Sequence, residues 1–158
     1  MRLLPAPVLL ATALGAAGCA SLPRRGPACS ADLAAEERAV RAMSASYATV
    51  RDVDTEMAEF TDDVWFFSPL RPQPTVGRAA RRAVIAGRRV AAPGDRTIRE
   101  TSGVIMGACG DLAVEHGRFV TRWTTPTGPD STVGYYLMGY RKVNGAWRIA
   151  AASVHRSG

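Results

Sequence analysis

Proton transfer and nucleophilic attack need groups that titrate or react near neutral pH, and this sequence has few of them. It holds two histidines, His116 and His155, and three cysteines, Cys19, Cys29 and Cys109. His116 lies beside Glu115 in a stretch that alternates like a strand. Alternation groups His116 with Val114, Arg118 and Val120, and Glu115 with Ala113 and Phe119. The pattern leaves open which set faces inward, so no catalytic residue is assigned and His116 is the one candidate. Asp62-Asp63 is a carboxylate pair, but at an expected helix-to-strand turn such side chains bond nearby amides. Two histidines without ligand spacing make no zinc site. Ser, His and Asp do not occur in a triad order, and Gly103, Gly107 and Gly110 precede no helix that could cradle a phosphate. No metal and no cofactor are implied.

The elements that must position these groups follow from periodicity. Leu33, Val40, Met43, Tyr47 and Val50 form one helical stripe, with Ser30 as its expected cap and Asp32, Glu36 and Glu37 suiting its N-terminal end. Asp52 is expected to cap a short second helix carrying Met57 and Phe60. The bulky run Val64-Trp65-Phe66-Phe67 predicts a strand, ended by Ser68-Pro69 and a loop with Pro72 and Pro74. Gly77 opens a third helix with Val84 and Ile85 as its apolar patch. From Arg96 onward the pattern predicts four strands, the last two joined at Asn144-Gly145, a type I′ hairpin signal. Helices first and a strand meander afterwards predict an α+β domain.

Composition agrees with one globular domain. The chain has 158 residues, 47% hydrophobic and 22% charged, which excludes disorder, collagen and coiled coil. The formal charge of +6 is unevenly placed: residues 32–63 carry nine acids against three arginines, and residues 71–99 carry eight arginines against Asp95 alone. No aromatic residue is interleaved in the basic stretch to stack bases, so no nucleic-acid partner is expected, and the arginines read as a solvated helix face.

Residues 1–18 read as a leader: Arg2 and then an apolar run, Leu3 to Ala17, interrupted early by Pro5 and Pro7 and shorter than the roughly 20 residues that span a bilayer. Leu14-Gly15-Ala16-Ala17-Gly18-Cys19 resembles the lipobox of bacterial lipoproteins, which implies lipidation of Cys19. Residues 19–30 then read as the lipidated cysteine and a flexible tether. Ala20 after the cysteine resembles outer-membrane sorting, so the expected location is the outer membrane, facing the periplasm; the alternative is a soluble periplasmic or secreted protein. Cys29 and Cys109 remain as one pair in an oxidising compartment, and they can bridge if their Cα atoms lie within about 7 Å.

Asp52-Val53-Asp54, Phe60-Thr61-Asp62-Asp63-Val64, Ser68-Pro69, Val76-Gly77-Arg78 and Tyr140-Arg141-Lys142 through Asn144-Gly145 to Trp147-Arg148-Ile149 together resemble the SnoaL-like, ketosteroid-isomerase-like branch of the nuclear-transport-factor-2-like superfamily. The resemblance covers about residues 31–156. It implies a cone of curved antiparallel sheet closed by three N-terminal helices, a cystatin-like α+β roll, around an internal pocket, and it implies a homodimer. The fold hosts isomerases, dehydratases, cyclases and noncatalytic association modules, so it does not choose a function. Where isomerases of the family carry a general base, this chain has Ser68, and where relatives carry an acid five residues after the Trp it has Ala152. Neither can shuttle a carbon-acid proton.

Two functions are in play. One is a hydrophobic pocket for a small neutral molecule, contacted by Tyr47, Phe66, Ser68, His116, Tyr135 and Tyr136, with Trp65 and Trp123 as further apolar lining. The other is a noncatalytic dimeric association module of the cell envelope. An open cavity with convergent polar groups favours the first, and a cavity filled by Phe66, Met106 and Met138 favours the second.

Overall fold

A computed structural model describes residues 29, 31–49 and 52–157. Its first helix, α1 (Leu33–Ser46), starts at Asp32, whose carboxylate accepts from the Ala35 amide at 3.0 Å. Asp32 therefore takes the capping role expected of Ser30, which with Val50, Arg51 and the whole leader lies outside the described residues. The short helix α2 (Val53–Met57) is capped as expected by Asp52, which accepts from the Thr55 amide at 2.9 Å. Strand β1 (Phe60–Phe67) begins earlier than the sequence predicts. Phe60 belongs to it and not to the helix, because the Glu59 carbonyl already accepts from the Ile149 amide at 2.7 Å. Asp62 and Asp63 are thus strand residues with exposed side chains; Asp62 pairs with Arg78, and Asp63 pairs with Arg141 at 2.6 Å. Such exposed pairs contribute little, because water screens them.

The chain continues through β2 (Thr75–Val76), a two-residue strand absent from the sequence reading, to α3 (Arg78–Ala91), β3 (Arg96–Met106), β4 (Leu112–Thr125), β5 (Gly128–Val143) and β6 (Ala146–Arg156). These strands form one sheet in the order β2-β1-β6-β5-β4-β3. Every neighbour is antiparallel except β1 with β6, which run parallel. The hairpin between β5 and β6 turns at Asn144 (φ 52°) and Gly145 (φ 79°), the positive values that a type I′ turn needs. Register shifts at Thr101/Gly103 in β3 and at Gly139/Tyr140 in β5 bend the ladder. The sheet therefore curls around its inner face, and the helices close the opening.

Val40, Met57, Phe60, Val64, Ile85, Met138, Tyr140 and Ile149 make up most of the core between helices and inner face. Each aliphatic side chain so buried contributes about 1.5–3 kcal/mol. Two ties fix α1 to the sheet. Glu36 pairs with Lys142 and accepts from Trp147 Nε1 at 2.9 Å, and these hydrogen bonds, Lys142 first, hold its carboxyl below the ordinary range. Cys29, just before α1, is bridged to Cys109 in the β3–β4 turn, with the Cα atoms 4.7 Å apart.

The alternation ambiguity is resolved by burial. Ala113, Glu115, Gly117 and Phe119 of β4 point inward, as do Tyr136, Met138 and Tyr140 of β5. Val114, His116, Tyr135 and Leu137 point outward. On the outer face, the register sets Ile105 beside Val114, His116 beside Leu137, Leu137 and Phe67 on either side of Ser153, and Tyr135 beside His155.

Candidate functional site

The concave face of the sheet, α3 and the segment after β1 enclose a cavity of about 600 Å³. Its apolar walls come from Phe66, Ile85, Phe119, Trp123 and Met138. Ser68 lies at its wall, with its hydroxyl accepting from the Leu70 amide at 3.3 Å. Ala152 is buried on the inner face between Phe66 of β1 and Met138 of β5. Both positions are therefore interior or cavity-facing, and both are neutral.

Of the expected pocket contacts, Tyr47, Phe66, Ser68 and Tyr136 line the cavity. His116 and Tyr135 do not. One residue of register separates each from an inward neighbour, and in a strand that turns the side chain to the opposite face. His116 instead covers Gly103 on the adjacent strand: a Cβ there would lie 2.6 Å from Nε2. Trp65, also outward, is 48% exposed and stacks on Phe67 with ring centroids 6.1 Å apart.

Glu115, which alternation had paired against His116, is the buried member. It is 0% exposed and accepts three hydrogen bonds, from Thr101 Oγ1 at 2.5 Å, Tyr136 Oη at 2.7 Å and Tyr140 Oη at 2.5 Å. A carboxylate met only by donors has its lone pairs well used. Burial, before any other influence, pushes the Tyr136 and Tyr140 phenols up, and Glu115 adds to both shifts. A sequence signal for this existed: of the two sets on β4, the one with His116 and Arg118 is the more polar and belongs in water.

A second buried carboxylate, Glu56, accepts from Tyr47 Oη at 2.6 Å and pairs with Arg89 at 2.8 Å. Burial raises its pKa, but the hydrogen bonds from Tyr47 and Arg89 and the nearby Arg88 and Arg81 outweigh it, so the carboxyl sits below its ordinary value of 4.5. Tyr47 is pushed up to about 12, by burial first and then by Glu56. Its hydroxyl proton is committed to Glu56.

The pocket is not the neutral, sparsely polar one the sequence predicts. Arg71, Arg81, Arg88, Arg99 and Arg156 line it, and among the described residues Asp95 is the one lining carboxylate. Helical spacing explains the inward arginines: Arg81, Ile85 and Arg88 at i, i+4 and i+7 share the face of α3 that meets the core. The reading of these arginines as a solvated face thus fails for Arg81, which is 5% exposed with its Cζ 3.5 Å from the centroid of the Phe66 ring. Burial pulls the Arg81 guanidinium below its ordinary range, with Tyr47 and Glu56 opposing it. Arg99 of β3 stacks its Cζ 3.7 Å from the Tyr47 ring centroid. Arg88 Nε lies 2.8 Å from Asp95 Oδ2, an ion pair whose angle falls short of a hydrogen bond. Among the described residues no group of three or more His, Cys, Asp or Glu could hold a metal, and no helix is long and apolar enough to cross a membrane.

The sequence matches no protein-family model and no curated protein sequence. Solved structures do resemble it. An NTF2-like protein with a cystatin-like fold from Novosphingobium aromaticivorans superposes with a TM-score of 0.64 at 19% identity, covering 77% of this chain and 82% of its own. A ketosteroid isomerase-like protein from Erwinia carotovora gives 0.59 at 20% identity, over 80% and 94% of the two chains. A scytalone dehydratase candidate from Novosphingobium aromaticivorans gives 0.64 at 16% identity, over 79% and 86%. At these identities the likeness concerns architecture, and what it shows is that this chain has the α+β nuclear-transport-factor-2-like fold.

Proposed function

We propose that this domain binds a small molecule with an apolar body inside the cone. The observation that carries the reading is the cavity itself: about 600 Å³, within the range of ligand pockets, walled by Phe66, Phe119, Trp123 and Met138 and still open although Phe66 and Met138 stand in it. With Ser68 and Ala152 at the places of the family's acids and His116 on the outer face, binding is the role assigned, and no reaction is. The test is native mass spectrometry of the protein purified from its own cell envelope, beside a Val84→Trp variant that fills the cavity from α3. A retained small molecule lost in the variant supports the reading; a wild-type protein without bound mass that no apolar compound stabilises against heat defeats it.

A second, compatible reading is self-association through the outer face. Its support is apolar exposure where an antiparallel sheet with one wet face would carry polar side chains: Leu137 is 52% exposed and Ile105 66%, with Trp65, Phe67, Tyr135 and Val114 around them. A homodimer would cover this surface. Export and a lipid anchor at Cys19 stay part of the proposal on the strength of the Leu14-to-Cys19 sequence, which lies outside the described residues.

A further inference from the structure

The cavity pairs apolar walls with a charge imbalance at its inner end. Of the guanidinium groups that reach it or back it, Arg88 is paired with Asp95 and Arg89 with Glu56. Arg81 and Arg99 form no ion pair among the described residues. Both have their flat faces against rings, Arg81 on Phe66 and Phe60, Arg99 on Tyr47 and Tyr136. Stacking of this kind fixes a guanidinium plane and leaves its N–H edge free to bond. Those edges are left partly unused: Arg81 Nε and Arg99 Nη1 are buried and have no hydrogen-bond partner. Tyr47 is the common neighbour of the two groups, since Arg99 stacks on its ring and its hydroxyl side bears on the Arg81 charge.

Glu56 is the carboxylate whose charge bears on Arg81, and it is already paired with Arg89; a buried guanidinium that shares its counter-charge and leaves an N–H unpaired is costly to hold without a further anion. Arg81 sits on α3 and Arg99 on β3, so neither is there through the same local accident, and each could have been served by a neutral side chain if the ligand were neutral. Arginine's planar fork matches the two oxygens of a carboxylate, and such a pair strengthens where water is excluded.

On the reading of the cavity as a ligand site, we infer that its ligand is an amphipathic acid: an apolar body lying between Phe66, Phe119, Trp123 and Met138, and a carboxylate held at the inner end by Arg81 and Arg99. Arg71 and Arg156, at the exposed rim, add long-range attraction for an anion on its way in. The role of Arg81 and Arg99 here is recognition and orientation.

The test compares two probes of equal body, 2-naphthoate and 2-naphthalenemethanol, by isothermal titration of the full mature chain at low salt, with quenching of Trp fluorescence as a second readout because Trp123 lines the cavity. The naphthoate is expected to bind at least tenfold tighter than the alcohol. Arg99→Gln, a half-buried substitution that leaves the core intact, is expected to weaken the naphthoate at least tenfold and the alcohol less than threefold. Arg81→Gln is expected to act in the same direction, and Arg99→Gln carries the test if that variant does not fold. Equal binding of the two probes, or naphthoate affinity indifferent to Arg99→Gln, overturns the acid ligand and leaves the cavity reading standing. Failure of both probes to bind at millimolar concentration overturns both.

Discussion

Removing the Tyr140 hydroxyl should destabilise the protein when Glu115 is present and should cost nothing, or help, when it is absent. Glu115 is fully buried and its Oε2 atom accepts from Tyr140 Oη at 2.5 Å, while Oε1 serves Tyr136 and Thr101. Tyr140→Phe leaves Oε2 without this donor in a dry site; a hydrogen bond to a charged group contributes about 1.5–3 kcal/mol, and that is the expected loss. Glu115→Ala strands three hydroxyls at about 1–3 kcal/mol each, so roughly 3–6 kcal/mol is expected after some relaxation, a large part of a domain's ~5–15 kcal/mol. In that background Tyr140→Phe deletes a stranded hydroxyl, and its effect should fall to about zero or change sign. The coupling energy of the cycle is therefore expected near 1.5–3 kcal/mol. Glu115→Gln is the mild companion, keeping an acceptor at Oε1 and losing only charge assistance, about 1–2 kcal/mol. Urea unfolding followed by tryptophan fluorescence measures all four corners. A coupling below about 0.5 kcal/mol would refute the reasoning, because the three contacts would then be geometry without energy.

The Glu56 carboxyl lies below its unfolded value of 4.5, so the stability it contributes is present above pH 4.5 and lost as pH falls through its folded value; Glu56→Gln should flatten the acid limb of a melting-temperature profile. Tyr47 runs the other way: raised to about 12, it contributes stability that is present below pH 10 and lost as pH rises toward 12, and Tyr47→Phe should remove that alkaline loss. The Cys29–Cys109 bridge spans 80 residues, for which chain entropy alone gives about 4.5 kcal/mol, so Cys109→Ser or reduction should lower stability by ~2–4 kcal/mol in urea; free thiols in non-reducing mass analysis would contradict the bridge. Leu137→Arg on the outer face should turn a dimer into a monomer by sedimentation velocity, and a wild-type monomer at micromolar concentration would defeat the association reading. Cys19→Ser should abolish palmitate labelling and release the protein from the envelope, and unchanged fractionation would count against the anchor.

How much of this was legible in the sequence depended on whether a feature is local. The cap at Asp52 and the turn at Asn144-Gly145 are decided by residues within a few positions of one another, and local chemistry predicts them, whereas the cap of α1 falls at Asp32, two residues after the Ser30 expected to fill it. Strand β2 was not legible, because Thr75-Val76 is a strand only by pairing with Trp65-Phe66 of β1. The parallel pairing of β1 with β6 joins residues far apart in the chain and leaves no mark in either segment alone.

The candidate site shows the same division in sharper form. Sequence placed Tyr47, Phe66, Ser68 and Tyr136 at the cavity because a family pattern and a helical stripe both pointed there, but it could not choose between adjacent residues on strands that are bulky on both faces. On β5, Tyr135-Leu137 and Tyr136-Met138-Tyr140 are equally apolar, so a one-residue choice of register carried no hydrophobic signal. The burial that resolves it comes from Glu115: its carboxylate can be dry only if the hydroxyls of Tyr136 and Tyr140 face it, and that requirement turns Tyr135, Leu137 and His116 outward together. One buried acid thus fixes which face of three strands lines the cavity. By the same logic, the arginines of α3 look like surface charges when counted by composition and like pocket groups when counted by helical phase. Arg81 and Arg88 flank Ile85 on a single stripe, and a stripe that buries Ile85 completely must carry its arginine neighbours in with it.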